Sequence, residues 1–382
     1  MENIQSINQG DTKERSRLVS IDAFRGATIA GMILVINPGS WKYIYAPLRH
    51  ADWNGCTPTD LIYPFFLFIV GVSITFSFSK SLSLNIPQKQ LYFKILKRTV
   101  ILFLLGLFLN TFPNFNFSDI RIMGVLQRIA VCYFIVSIIF MNTDFKYQVA
   151  ITVLLLLVYW ALMEWIPVPG IGAGHYDKVN NFATYFDRFF LQGHMGSYEK
   201  IGEPEGLIST LPSLSTTLFG VLTGHLLKYD IVPREKLIII FATGAALVFA
   251  GIMWGFYLPV NKHLWTSSYS VLTVGYGLIV FGVFYYLIDV KRYNKWFKPF
   301  LVFGMNAIVV YVLSIVVAQT IRLITFTTSE GVHHDLKTWL YEKFFAPQIG
   351  NYNGSLLYAI IYCLIWTAVM WYFYKKKIFI RI

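Results

Sequence analysis

The chain has 382 residues, of which 56% are hydrophobic and 18% aromatic while only 14% are charged. Soluble proteins carry about a quarter charged residues, so this composition, with a mean hydropathy of +0.55, excludes an ordinary soluble domain. The formal net charge of +12 raises the question of a nucleic-acid partner, and the positions of the cations argue against one.

In chain order, residues 1–17 are polar and are expected to form a mobile tail. Apolar runs of about 20 residues, the length needed to cross a bilayer, then recur to the end of the chain. They predict about ten transmembrane helices, near 20–36, 59–79, 95–112, 122–141, 147–166, 208–227, 236–257, 267–289, 300–323 and 354–374. The first run is too long for a removable leader and carries Asp22 and Arg25 near its start, so it is expected to stay as a span. The expected fold class is therefore an all-α polytopic membrane protein, a single transmembrane domain over residues 18–382.

With the N-terminus in the cytoplasm, the loops on that side hold Lys89, Lys94, Lys97, Arg98, Lys146, Arg234, Lys236, Lys291, Arg292 and Lys375 among other cations. The opposite loops hold roughly half as many. This is the positive-inside pattern; it predicts both termini in the cytoplasm and accounts for the basic charge with no nucleic acid. Loops 37–58, 167–207 and 324–353 then face outward, and their Gly, Pro, Asn, Tyr and Trp content suits a lid or binding vestibule. The three cysteines form no disulfide framework. No metal-ligand spacing, phosphate loop or dinucleotide fingerprint occurs, so no metal is expected.

The densest polar segment, Leu48 to Asp60, lies between two apolar runs. Thr57-Pro58-Thr59-Asp60 reads as a helix start, with Thr57 as cap and Asp60 at the third position. The same placement lets Asp60 accept the N–H of His50, fix its tautomer and raise its basicity. His50 is then either a satisfied surface residue or a reactive imidazole. Asn37, before Pro38-Gly39, either caps the first helix or donates to an oxyanion. Within the spans, Asp22 and Arg25 stand three residues apart and can pair locally. Arg121, Gly124 and Arg128 are expected on one helix face with no acidic residue, a pattern suited to gripping an anionic ligand, unless Arg121 snorkels to the interface.

Several of these stretches together resemble one group of proteins. Ile21-Asp22-Ala23-Phe24-Arg25-Gly26, the Asn37 turn, and His50-Ala51-Asp52-Trp53-Asn54-Gly55 with Asp60 come first. Arg121 with Gly124-Val125-Leu126-Gln127-Arg128-Ile129, then Pro204-Glu205-Gly206, then Asn261-Lys262 with Leu264-Trp265 follow in order. This series resembles the heparan-α-glucosaminide N-acetyltransferase family over nearly the whole chain. The resemblance implies a transmembrane acetyl transfer: acetyl-CoA is the co-substrate on the cytoplasmic side, and the acceptor is an amino sugar or glycan amine on the other face. It implies His50, Asn37 and Asp60 as the catalytic group. On this scheme Arg25, Arg121, Gln127 and Arg128 are expected to meet acetyl-CoA, and Trp53, Glu205, Lys262 and Trp265 the acceptor. His50 acts either as general base or through an acetyl-histidine relay. The family further implies a homodimer among membrane lipids, in a bacterial inner membrane. Asn-Pro-Gly at 37–39 and Glu-Pro-Glu-Gly at 203–206 depart from the usual family forms, which leaves the acceptor open. Two rival readings share many of these features: an O-acyltransferase of a surface glycan, and a proton- or anion-coupled transporter. Neither a repeat nor paired broken helices favours the transporter.

Overall fold

The computed structural model describes residues 18–327 and 333–380, so the expected mobile tail at 1–17 lies outside the described residues. The apolar runs become α1 (Val19–Ile36), α2 (Ile62–Ser83), α3 (Gln88–Thr111), α4 (Val125–Asn142) and α5 (Phe145–Trp165). After a short α6 (Phe182–Leu191) come α7 (Thr210–Lys228), α8 (Pro233–Trp254) and α9 (Ser267–Tyr285). The chain closes with α10 (Lys298–Met305), α11 (Ala307–Leu323), β1 (Thr325–Thr327), β2 (His333–Asp335), α12 (Leu336–Leu340), α13 (Ala346–Ile349) and α14 (Asn351–Lys375). The architecture is all-α apart from the antiparallel β1–β2 pair, in which Thr325 faces Asp335.

Among the described residues, seven helices are long and apolar enough to cross a membrane, or eight if α10 and α11 count as one broken span. Of the other expected spans, α3 begins with Lys89, Lys94, Lys97 and Arg98, and α7 is rich in Ser and Thr. The predicted continuous helix at 300–323 is corrected: α10 and α11 meet at an 85° bend. Asn306 sits at the break with a non-helical φ of −129°. Its Nδ2 donates to Ile378 O at 3.0 Å and its Oδ1 accepts from Ile380 N at 2.9 Å, so the chain beyond α14 is clamped to the bend. Hydropathy is blind to such a break, because the apolar run continues through it.

Close helix crossings rest on glycine. A Cβ on Gly71 of α2 would stand 1.9 Å from Thr217 O, and one on Gly220 of α7 1.9 Å from Phe68 O. The α1–α10 crossing repeats the device, with Gly26 facing Phe300 O and Gly304 facing Asp22 O. Small residues let backbones approach where apolar burial gives no preference for protein over lipid. The α7 helix is the central pillar, and its hydroxyls are internally satisfied. Ser215 donates to Thr152 O on α5 at 3.0 Å, and Thr216 shares a 2.7 Å hydrogen bond with Ser270 on α9. Outside this pillar, α5, α8 and α14 expose large apolar side chains such as Leu154, Phe249 and Leu364, a surface suited to lipid tails.

One end of the bundle gathers the long loops. Gly39 N–H donates to Ser355 O at 3.1 Å, Trp53 Nε1 to Tyr176 O at 2.8 Å, and Ile122 N–H to His194 O at 3.1 Å. The replacement Gly71→Ala is expected to lower the Tm of the detergent-solubilised protein, with overpacking costing about 1–3 kcal/mol. Gly31→Ala meets only ordinary contacts, the nearest atom being Ile62 Cδ1 at 3.5 Å. It is expected to be neutral or stabilising by up to about 1 kcal/mol, since alanine is the better helix former. Equal Tm shifts for the two variants would contradict the backbone-contact account.

Candidate active site

The segment between α1 and α2 is built around one carboxylate. Asp60, with no exposed surface, lies in a short 3-10 turn at Pro58–Leu61 that runs into α2. Its Oδ2 accepts from Thr57 N–H at 2.9 Å, Thr57 Oγ1 at 3.0 Å and Ala51 N–H at 3.1 Å. The capping geometry expected for Thr57 and Asp60 is present. The other oxygen, Oδ1, stands 2.7 Å from His50 Nδ1. An ionised carboxylate only accepts, so Nδ1 carries a proton toward Asp60, and in the neutral ring the lone pair is on Nε2. The His50 side chain is 51% exposed, so the ring is accessible from outside the bundle.

Lys262 completes this cluster. Its Nζ lies 3.0 Å from His50 Nδ1, 3.3 Å from Nε2 and 3.5 Å from Asp60 Oδ1. Near-equal distances to the two ring nitrogens place the ammonium beside the ring, not in line with the Nε2 lone pair. The loop that carries it is tied to the histidine segment by Gly55 N–H donating to Val260 O at 2.7 Å and Asn261 Nδ2 to Asn54 Oδ1 at 3.1 Å. Burial pulls the Lys262 ammonium below the usual lysine range, and the Asp60 charge only partly opposes this. Burial and the Asp60 charge push the neighbouring Cys56 thiol up to about 12, which keeps it protonated and poorly nucleophilic. Asn37 is buried, and its Nδ2 donates back to Ile33 O at 2.8 Å, closing α1.

A second polar cluster corrects the expectation for Arg121. Helix α4 begins at Val125, so Arg121 precedes it and shares no helix face with Arg128. Nor does it lack acidic partners. Arg121 Nε donates to Glu203 Oε2 at 2.9 Å, and Nη2 reaches Glu205 Oε2 at 2.6 Å and also contacts Glu203 Oε1. Burial pushes Glu203 up to about 7 against the pull of Arg121, while the Arg121 and Arg128 charges outweigh burial and hold Glu205 below its usual value. Beside them Asp187 of α6 is buried, accepts from Leu207 N–H at 2.9 Å, and is pushed up to about 7 by burial.

Arg128, in the first turn of α4, is fully buried. Its Nη2 donates to Gly206 O at 3.1 Å and contacts Ser209 Oγ, and its guanidinium lies 5.1 Å from the Trp265 ring. Its Nε and Nη1, and both amide atoms of the buried Gln127, have no hydrogen-bond partner among the described residues. Trp265 is itself buried and backs Arg128, whereas Trp53 is half-buried near His263 and Lys178. Arg25 lies far from this group, two turns into α1 at the opposite end of the bundle. It pairs with Asp22 at 3.0 Å and donates to Ser73 Oγ at 2.5 Å. Thus His50, Asp60 and Lys262 come together, Glu205 and Arg121 form a neighbouring pair, and Arg25 stands apart. Among the described residues no group of three or more His, Cys, Asp or Glu is arranged to hold a metal ion.

Residues 17–252 match the family model described as heparan-alpha-glucosaminide N-acetyltransferase, catalytic. The chain belongs to this family. It is 28% identical to the mouse heparan-alpha-glucosaminide N-acetyltransferase over 98% of its own length, and 28% identical to the human protein over 96%. It spans only 62% and 60% of those relatives' lengths. The family segment contains Asn37, His50, Asp60, Arg128 and Glu205 but ends before Lys262 and Trp265. Sequence reasoning missed the Glu203 contact to Arg121, the proximity of Lys262 to His50, and Asp187. The sequence shows two closely spaced carboxylates in Glu203-Pro204-Glu205 and an arginine in need of a partner at 121, but nothing local that pairs them over 82 residues.

The raised Asp187 carboxyl gives a signed stability prediction. Protonation is favoured in the folded state, about 7 against an ordinary 3.8. Its stabilising contribution is therefore fully present below 3.8 and is lost as pH rises through about 7. Asp187→Asn keeps an oxygen to accept the Leu207 N–H and stays neutral at every pH. Its Tm should fall less than the wild type's between about pH 4 and about pH 8; identical slopes would contradict the assignment.

Proposed function

We propose that the chain is a transmembrane N-acetyltransferase that carries an acetyl group from cytoplasmic acetyl-CoA to the amine of a glucosamine-like sugar on the other face of a bacterial inner membrane. The observation that carries this reading is the 2.7 Å contact of His50 Nδ1 with buried Asp60, which turns Nε2 of the half-exposed ring away from the carboxylate at the loop-rich end. The excess of Lys and Arg in the opposite loops supports placing that end away from the cytoplasm.

In the proposed reaction the acceptor amine attacks the thioester carbonyl carbon. A C–N bond forms and the C–S bond breaks. His50 Nε2 takes the amine proton and returns it to the departing CoA thiolate, so the products are an N-acetyl amine and free thiol. Asp60 holds the imidazole in the required tautomer. The buried residues fit a donor of this type: Arg128 has two guanidinium nitrogens, and Gln127 a whole amide, without a hydrogen-bond partner among the described residues. These groups match carbonyl, amide or phosphate oxygens of a pantetheine-type chain. Arg25 lies toward the opposite end, where the phosphorylated end of such a molecule would enter.

Purified protein incubated with labelled acetyl-CoA and a panel of amino sugars, plain sugars and cell-wall fragments tests the reading. Label in an amide is expected. Label in an ester would replace it with O-acylation, and no transfer to any acceptor would overturn the enzymatic reading in favour of transport. His50→Ala should reduce turnover by about 10²–10⁴-fold with acetyl-CoA still bound; near-normal turnover would exclude His50 as the base. Arg128→Gln should weaken acetyl-CoA binding about 10–100-fold, measured by titration of the solubilised protein. Unchanged donor affinity would remove Arg128 from the donor site.

A further inference from the structure

We infer that Lys262 is a further catalytic residue, its ammonium facing the oxyanion that forms on the acetyl carbonyl beside His50. This rests on the acetyl-transfer reading and adds to it the group that stabilises the transition state.

Attack on the thioester moves negative charge onto the carbonyl oxygen, and a donor fixed where that charge develops is commonly the largest single contribution to catalysis. Asn37 was the expected donor, but one of its amide N–H groups is committed to Ile33 O at the end of α1. Lys262 Nζ instead stands 3.3 Å from His50 Nε2, the atom that takes the proton. The ammonium is near-equally distant from Nδ1, so it is not aligned on the Nε2 lone pair alone. A thioester carbonyl meeting the amine on that side of the ring would have its oxygen next to the ammonium.

The backbone holds Lys262 in place. Leu264 N–H donates to Asn261 Oδ1 at 2.9 Å, and Trp265 N–H to Lys262 O at 3.1 Å. Trp265 takes a φ of +48°, a left-handed conformation rare for a bulky residue, and its ring is fully packed. The ammonium is therefore presented by a rigid turn, with no reorganisation needed at the moment of reaction. Facing it are His50 and Cys56 from the segment between α1 and α2, Asp60 at the start of α2, and Glu205 from the loop before α7. Asp60 and Glu205 favour its charged form and burial disfavours it, so it loses its proton below the ordinary lysine range.

The test compares Lys262→Met and Lys262→Arg with the wild type in detergent, using acetyl-CoA and the best acceptor from the panel. Lys262→Met should lower kcat about 10²–10³-fold while acetyl-CoA binding, measured by titration, stays near the wild-type value. The wild type should lose activity at alkaline pH as the ammonium deprotonates. Lys262→Arg should recover part of kcat and move that alkaline fall to higher pH, since a guanidinium stays charged. Wild-type kcat in Lys262→Met, or a defect confined to KM for the acceptor, would overturn the assignment. So would an alkaline fall unmoved in Lys262→Arg, which decides the matter if Lys262→Met fails to bind acetyl-CoA. A wild type that transfers no acetyl group to any acceptor would instead overturn the underlying function, and this is seen before any variant is compared.

Discussion

A carboxylate with no exposed surface has to be surrounded by donors, and Asp60 draws them from separate stretches of the chain. Thr57 and Ala51 supply backbone and hydroxyl donors, His50 a ring nitrogen, and Lys262 an ammonium from beyond α8. Even its carbonyl is used, accepting from Tyr269 OH of α9 at 2.6 Å. Removing any one of these leaves the others arranged around a charge that burial makes costly. The loop over the site, the first turn of α2 and the entry to α9 are thus one electrostatic unit.

That unit divides what the sequence made legible from what it hid. The Thr57–Asp60 cap and the Asp22–Arg25 pair span three residues each, so helical spacing alone suggested them. Apolar run length likewise located the seven or eight helices long and apolar enough to cross a membrane among the described residues. Contacts across the fold were out of reach: Lys262 meets His50 over a separation of 212 residues, and Arg121 meets Glu203 over 82. Arg121 was misplaced for a local reason as well. The stretch before Gly124 is apolar enough to pass for helix, yet Asn110 Nδ2 binds the carbonyls of Arg121 and Met123 and holds the chain outside it. The bend at Asn306 escaped because hydropathy measures solvent preference and carries no information on direction.

The two arginines expected to act alike have opposite situations. Arg121 is saturated by two carboxylates, which is the ordinary way to bury a charge, and it braces the loop between α5 and α7. Arg128 is buried more completely, yet among the described residues no carboxylate lies within ion-pair distance of it. Such an arrangement costs stability, and natural structures keep few of them without a reason. Residues 25–37 of α1 rise about 18 Å, so a donor touching both Arg25 and Arg128 would have to be long and slender.

In the proposed reaction the half-exposed ring of His50 would have a consequence for efficiency. A base open to solvent can deprotonate water as readily as an amine, and water attacking the thioester would discharge the acetyl group unproductively. Among the described residues Lys262 Nζ stands 3.3 Å from Nε2 and the ring is otherwise half-exposed, so in the proposed reaction the barrier against this leak would come from the acceptor's own bulk. A sugar broad enough to cover the imidazole while presenting its nitrogen would exclude water by occupying the space itself. Selectivity for the acceptor and protection of the donor would then be a single property of the bound sugar.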